Sequence, residues 1–112
     1  MAICGGAWLG GAKSAMLMEN SGRLLSGYVL TRFNIAFDIP TLLLVTYRGD
    51  LGDGNWWASA GGRVTEPFLR LLGLQYAVVR SSEEIAGAIH RAETSAMASL
   101  LPSVVLFGMG NL

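Results

Sequence analysis

The chain has 112 residues, zero formal net charge and 52% hydrophobic residues, but only 14% charged ones, against about 25% in an average soluble domain. That length bounds it to one small domain or a piece of a larger one. Eight basic residues are scattered and matched by eight acids, which leaves nothing to grip a nucleic-acid backbone.

No apolar run approaches the roughly 18 residues of a membrane span; the longest, Ile39–Tyr47, is far too short. The first residues carry no basic n-region, so no signal peptide is read there. A single cysteine, Cys4, cannot form an internal disulfide and fits a reducing, cytoplasmic setting. A high apolar fraction without a span points to a surface covered by another subunit or domain, ahead of an unusually apolar monomer.

In chain order, Ala2–Gly11 (AICGGAWLGG) reads as the end of an apolar, small-residue helix. Ser14–Met18 (SAMLM) follows as a run of strand length, broken by Glu19 and Asn20. The pattern then turns helical over Ser21–Phe37, with polar groups at Arg23, Gly27, Thr31, Asn34 and Asp38 drawing one narrow polar stripe. The rest of that helix is apolar, which predicts cover on most sides and poor solubility as a monomer. Pro40 marks the turn into Thr41–Tyr47 (TLLLVTY), apolar on both alternating sets as in a strand buried on both faces.

Arg48–Gly62 (RGDLGDGNWWASAGG) is fifteen residues with five glycines, too long for an ordinary strand-to-helix turn and often functional at that place. Its adjacent Trp56 and Trp57 fit either a flap packed on its own domain or an aromatic wall over a substrate or partner. Arg48 and Asp50 fit a simple turn-stabilising pair. The next helix is predicted to open at Thr65-Glu66-Pro67, with Thr65 as N-cap, and to close at Gly73. Tyr76–Val79 (YAVV) is the third strand. The last helix starts after Ser81-Ser82, with Glu83 and Glu84 suiting its N-terminal dipole. It buries Ile85, Ile89, Ala92 and Ala96, leaves His90 in solvent and stops at Pro102, before the strand Ser103–Phe107 (SVVLF).

Helices and strands therefore alternate, which implies a parallel sheet with helices on both faces. Domains of this class usually start with a strand, so the first strand is expected to be missing. No G-x-G-x-x-G or phosphate-binding loop joins a strand to a helix. The one cysteine and one histidine make no metal cluster, and no nucleophile elbow supports a Ser-His-Asp arrangement.

The segments AWLGGAKSAMLMENSG, DIPTLLLVTYRGD and GRVTEPFLRLLGLQYAVV, in that order and nearly spanning the chain, resemble the pyrimidine-binding (PYR) domain of thiamine-diphosphate-dependent decarboxylases. The nearest members are the sulfopyruvate decarboxylase alpha subunit and phosphonopyruvate decarboxylase. The resemblance implies a Rossmann-like three-layer α/β fold filling residues 1–112 as one domain. It implies a thiamine diphosphate site shared with a diphosphate-binding beta subunit or domain that holds Mg²⁺, within a homo- or hetero-oligomer acting on a 2-oxoacid. Glu19, Asn20, Ser21 and Gly22 would face the cofactor, and Arg48, Trp56 and Trp57 the substrate. A carboxamide and a hydroxyl at a strand end can orient a 2-oxoacid, while the helix N-terminus opposes its charge.

The chain departs from the family at three places. The family's activating glutamate falls just ahead of Met1, so no catalytic residue is assigned here. Glu19 stands where the family usually has Gln, and Arg23-Leu24 where it has Leu-Gly. A carboxylate at 19 would repel an anionic substrate unless Arg23 pairs with it. Trp56-Trp57-Ala58 replaces a Pro-Gln-His segment that would supply a proton-transferring histidine. Two functions follow: the pyrimidine-binding part of a 2-oxoacid decarboxylase working with a partner, or a non-catalytic assembly or regulatory subunit of the same fold.

Overall fold

The four apolar runs become four parallel strands: β1 (Ala15–Glu19), β2 (Leu42–Thr46), β3 (Gln75–Ser81) and β4 (Ser103–Asn111). A computed structural model describes residues 1–111. The strand order is β1-β2-β4-β3, so the two inner strands are the two Val/Leu-rich ones. β4 is covered on both faces, as a central parallel strand demands: Val104, Val105 and Leu106 are fully buried. β2 buries Leu43 and Val45 completely and leaves Leu42 and Leu44 half-covered.

Alternation along the strands feeds two cores. On one face Leu43, Val45, Val104 and Leu106 pack with Leu30 and Leu69. On the other Val79 and Val105 pack with Ala88 and Ala92 of α5 (Ser82–Ser99). Helices therefore cover both faces, and the expected α/β three-layer fold holds. α1 (Ala2–Leu9) leans on the first layer, its Gly5 tight against the Phe33 ring.

The helix predicted over Ser21–Phe37 is not one regular element. It is α2 (Asn20–Leu25), a turn at Ser26, α3 (Gly27–Val29) and a π-helical segment, Leu30–Ile35. Thr31 back-bonds through its hydroxyl to the Gly27 carbonyl at 3.0 Å, a contact that bends helices. The Ile39 amide reaches back five residues to the Asn34 carbonyl at 2.8 Å, the wider spacing of a π turn.

Two members of the polar stripe, Arg23 and Asn34, also face the opposite way from the prediction, while Asp38 is exposed as expected. Arg23 and Asn34 have no exposed surface, whereas Leu25 is 88% and Tyr28 74% exposed. The reason is tertiary: the inner side offers partners from elsewhere in the chain. Asn34 Nδ2 donates to Thr41 Oγ1 at 3.0 Å, and Arg23 Nη2 to the Thr65 carbonyl at 3.2 Å, with its guanidinium 5.0 Å above the Phe68 ring.

α4 spans Ser59–Leu71, starting seven residues ahead of the Glu66 that would follow Thr65 as N-cap. Thr65 lies inside the helix, its hydroxyl donating to the Gly61 carbonyl at 2.7 Å. Pro67 is interior too; it withholds a donor from the Arg63 carbonyl, at an exposed stretch where solvent can serve instead. The predicted stop is correct. Gly73 takes φ +69°, its amide bonding to Arg70 and that of Leu74 to Leu69, the paired closure that favours glycine. α5 also follows the prediction: Ala92 and Ala96 are buried, Ile85 and Ile89 half-buried, His90 exposed, with Ala88 as an additional buried contact.

Candidate functional site

β1 and β2 run side by side, with Glu19 opposite Thr46, so the chain leaves both at the same edge of the sheet. Open α/β sheets bind ligands at this carboxyl-end rim. Residues 19–22 and Arg48 meet there. The joint is Asn20, only 2% exposed: its Nδ2 donates to the Arg48 carbonyl at 2.8 Å and to Thr65 Oγ1 at 2.9 Å. One amide thus staples the start of α2, the end of β2 and the first half of α4. Both its donated bonds are internal.

The side chains turned outward on this rim are Glu19 and Ser21, the Ser21 hydroxyl donating to Glu19 Oε1 at 3.1 Å. Gly22 follows in the first turn of α2, half-covered. Arg23 does not pair with Glu19; it points inward, and Nε and Nη1 have no partner among the described residues. Burial pulls its pKa below the ordinary arginine value. Arg48 lies within electrostatic reach of Glu19: its pKa is raised chiefly by its bond to Asp53 and, as the smallest contribution, by the Glu19 carboxylate.

Arg48 pairs with Asp53 and not with Asp50. Asp53 accepts from Arg48 Nε (2.8 Å) and Nη2 (3.3 Å), from the amides of Gly49 (2.9 Å) and Asn55 (3.0 Å), and from Asn55 Nδ2 (2.7 Å). The Arg48 bond, then the two amides, hold its carboxyl well below the usual carboxylate range. Asp50 is instead the clip to the far strands, accepting from Arg80 Nη2 at 2.7 Å and the Met109 amide at 3.1 Å. Burial works against its ionisation, but the Arg80 bond and the Leu51 and Met109 amides outweigh burial and lower its pKa.

Past this knot, Trp56 and Trp57 form a short 3-10 turn leading straight into α4. Their rings meet edge to face, centroids 6.1 Å apart, and stay 84% and 62% exposed. The turn is held to the rim by Gly49 (φ +76°), packed on the backbone of Ala58 and Gly62; a Cβ on Gly49 or Gly62 would strike the opposing backbone. The structure therefore gathers Glu19–Gly22, Arg48 and the tryptophan turn around one edge.

The chain is similar to sulfopyruvate decarboxylase alpha subunits. It is 49% identical over 49 residues to that of Methanocaldococcus jannaschii, covering 44% of this chain and 29% of that protein. Against the Methanococcus maripaludis subunit it is 32% identical over 82 residues, 73% of this chain and 49% of that protein. Against the Methanothermobacter thermautotrophicus subunit it is 32% identical over 87 residues, 78% of this chain and 53% of that protein. The chain thus spans about half, or less, of the length of the curated relatives it matches. No family model matches it.

Some residues that shape the rim were not singled out from sequence. Asp53-Gly54-Asn55 carries a readable signal, an aspartate whose carboxylate bonds the amide two residues on. Asp50–Arg80 joins residues thirty apart and leaves no local trace. Glu66, inside α4, accepts from Tyr47 at 3.1 Å, Tyr76 at 2.8 Å and Arg70 at 3.0 Å. Burial, then the Glu66 bond, pushes the Tyr47 hydroxyl up to about 12. Among the described residues, no three His, Cys, Asp or Glu side chains gather as metal ligands, and no helix is long and apolar enough to cross a membrane.

Proposed function

We propose that this chain is the pyrimidine-binding part of a cytoplasmic thiamine-diphosphate-dependent 2-oxoacid decarboxylase of the sulfopyruvate or phosphonopyruvate type, completed by a diphosphate-binding partner that holds Mg²⁺. The observation that carries the reading is the joining, through Asn20, of Glu19–Gly22, Arg48 and the middle of α4 at Thr65 near one carboxyl-end rim, in a chain similar to decarboxylase alpha subunits. When bound, thiamine diphosphate supplies the electron sink for loss of CO₂ from a 2-oxoacid.

The residues present fit a wall of such a site better than its acid–base centre. Glu19 and Ser21 offer exposed acceptor oxygens to an amine, the Ser21 proton being already given to Glu19. Asn20 holds the wall's shape. Trp56 and Trp57 present apolar area that would exclude water from a covered cleft. The Arg48 guanidinium, oriented by Asp53 and within electrostatic reach of Glu19, is the rim's cation and partly offsets the carboxylate for an anionic substrate.

The commitment of Asn20 and of two Arg48 nitrogens to internal bonds favours a second reading, a non-catalytic assembly or regulatory subunit. One experiment separates the two. The tagged chain is co-expressed with the product of the adjacent reading frame, and CO₂ release from sulfopyruvate and phosphonopyruvate is followed with thiamine diphosphate and Mg²⁺. A complex with turnover, and no turnover by the chain alone, is expected. Turnover by the isolated chain would remove the partner requirement. A complex without turnover that keeps its partner would select the regulatory reading.

A further inference from the structure

The amino-end side of the sheet holds a second feature that the decarboxylase reading does not use. Where β3 and β4 begin, Gln75 stands opposite Ser103, and α5 passes over them. Small side chains there, Ala88 and Ala92 on the helix, leave a cleft of about 420 Å³, within the roughly 300–1,000 Å³ typical of small-molecule sites. Its polar lining is Gln75, Ser103, Ser95 and Arg91.

Two independent observations mark it as unfinished. Ser103 is 2% exposed, and its hydroxyl has no hydrogen-bond partner among the described residues. A buried polar atom left in that state is costly, and native structures rarely tolerate one without a reason. Arg91 enters none of the ion pairs found among the described residues. Its guanidinium lies over Gly87, where a Cβ would stand 3.3 Å from Nη1. A lone guanidinium beside two hydroxyls and an amide is a donor set for an anion.

We infer that this cleft binds a small organic carboxylate with an apolar body, its head held by Arg91, Ser95 and Ser103 and its body lying on Ala88 and Ala92. The class follows from charge and surface. Arg91 is the one charged side chain in the lining, which matches a monoanion better than a phosphate dianion. The alanine wall has no use for a hydroxylated body. The cleft lies at the opposite end of the strands from residues 19–22, so the inference stands apart from the decarboxylase reading.

The test is a titration of the ¹⁵N-labelled chain with 4-methylpentanoate, followed by amide chemical shifts. Saturable shifts are expected at Gln75, Arg91, Ser95 and Ser103, with residues 19–22 unmoved. Arg91→Gln, an exposed position, is expected to weaken binding about tenfold or more, the scale of one charge-assisted contact. The uncharged 4-methylpentan-1-ol should bind weaker by a similar factor. Ser103→Ala discriminates further: loss of affinity supports the site, whereas unchanged affinity with a higher melting temperature overturns it. Absent or scattered shifts, equal binding of alcohol and carboxylate, or tighter binding of inorganic phosphate would also overturn the inference.

Discussion

The loop Arg48–Asn55 and the helical run Asn20–Ile35 both turn polar side chains inward, yet they settle their hydrogen bonds in opposite ways. In the loop, donors and acceptors match: Asp53 takes bonds from Arg48, Gly49 and Asn55, and Asp50 takes them from Arg80 and Met109. In the helical run, Arg23 keeps two nitrogens and Asn34 an oxygen without a partner among the described residues, while Leu25 and Tyr28 face solvent. A glycine-rich loop is thus the saturated part of the rim, and the helix beside it is the unsaturated part. Irregular backbone can be well fixed when its side chains supply acceptors, and helical backbone does not guarantee that the groups it buries are satisfied.

The largest effect is expected where the two regions join. Asn20→Ala removes both donated bonds and strands the buried Thr65 hydroxyl as an acceptor; a loss of about 2–4 kcal/mol is expected in urea unfolding. A loss under about 1 kcal/mol would mean that the two regions are not coupled through this amide.

Arg23→Met tests the unsaturated side. An apolar chain of similar length removes the orphan donors and the buried charge while keeping most of the packing on Phe68, so stability should rise by about 1–2 kcal/mol. A fall of that size would show that the Thr65 carbonyl and the Phe68 ring matter more than the orphans.

The saturated side should respond to acid. Asp50 and Asp53 both have folded-state pKa values below the ordinary aspartate value, so each adds stability that is complete above the unfolded pKa of about 3.9 and is lost as pH falls through the folded one. Amide exchange at Gly49 and Asn55, corrected for its intrinsic pH dependence, should lose protection below about pH 4. Asp53→Asn should lack most of that pH dependence. A loop whose protection is flat from neutral pH to about pH 3 would contradict the contrast.

The smallest effect on stability belongs to the helix exterior. Leu25→Glu should change unfolding by no more than about 0.5 kcal/mol, yet reduce self-association in sedimentation if that apolar face is covered by a partner or a second copy. Unchanged association would take Leu25 out of any such surface.

The strands, their parallel sense and the two-faced cover were legible because Thr41–Tyr47 is apolar on both alternating sets and the short apolar runs alternate with helical patterns along the chain. Gly73 was legible because a left-handed closing residue is nearly a glycine monopoly. The inward stripe was not. Periodicity fixes which residues share a face and leaves open which side that face takes, and here Thr41, Thr65 and Phe68 decided it from distant positions. Thr65-Glu66-Pro67 misled for a similar reason: local preference marked a helix start, whereas the Gly49–Gly62 contact carried the helix upstream. At the rim, the chain order of Glu19–Gly22 and Arg48 was visible, but the partners of Arg48 and Asp50 were exchanged, because a carboxylate is chosen by geometry and not by nearness in sequence.

The tryptophan turn has a practical corollary. Two of the chain's three tryptophans sit in water on a mount pinned by Gly49, while Trp8 is half-covered. Their emission is therefore an intrinsic optical gauge of the rim: it should start red-shifted and move to shorter wavelength when anything settles over that edge, with no label attached.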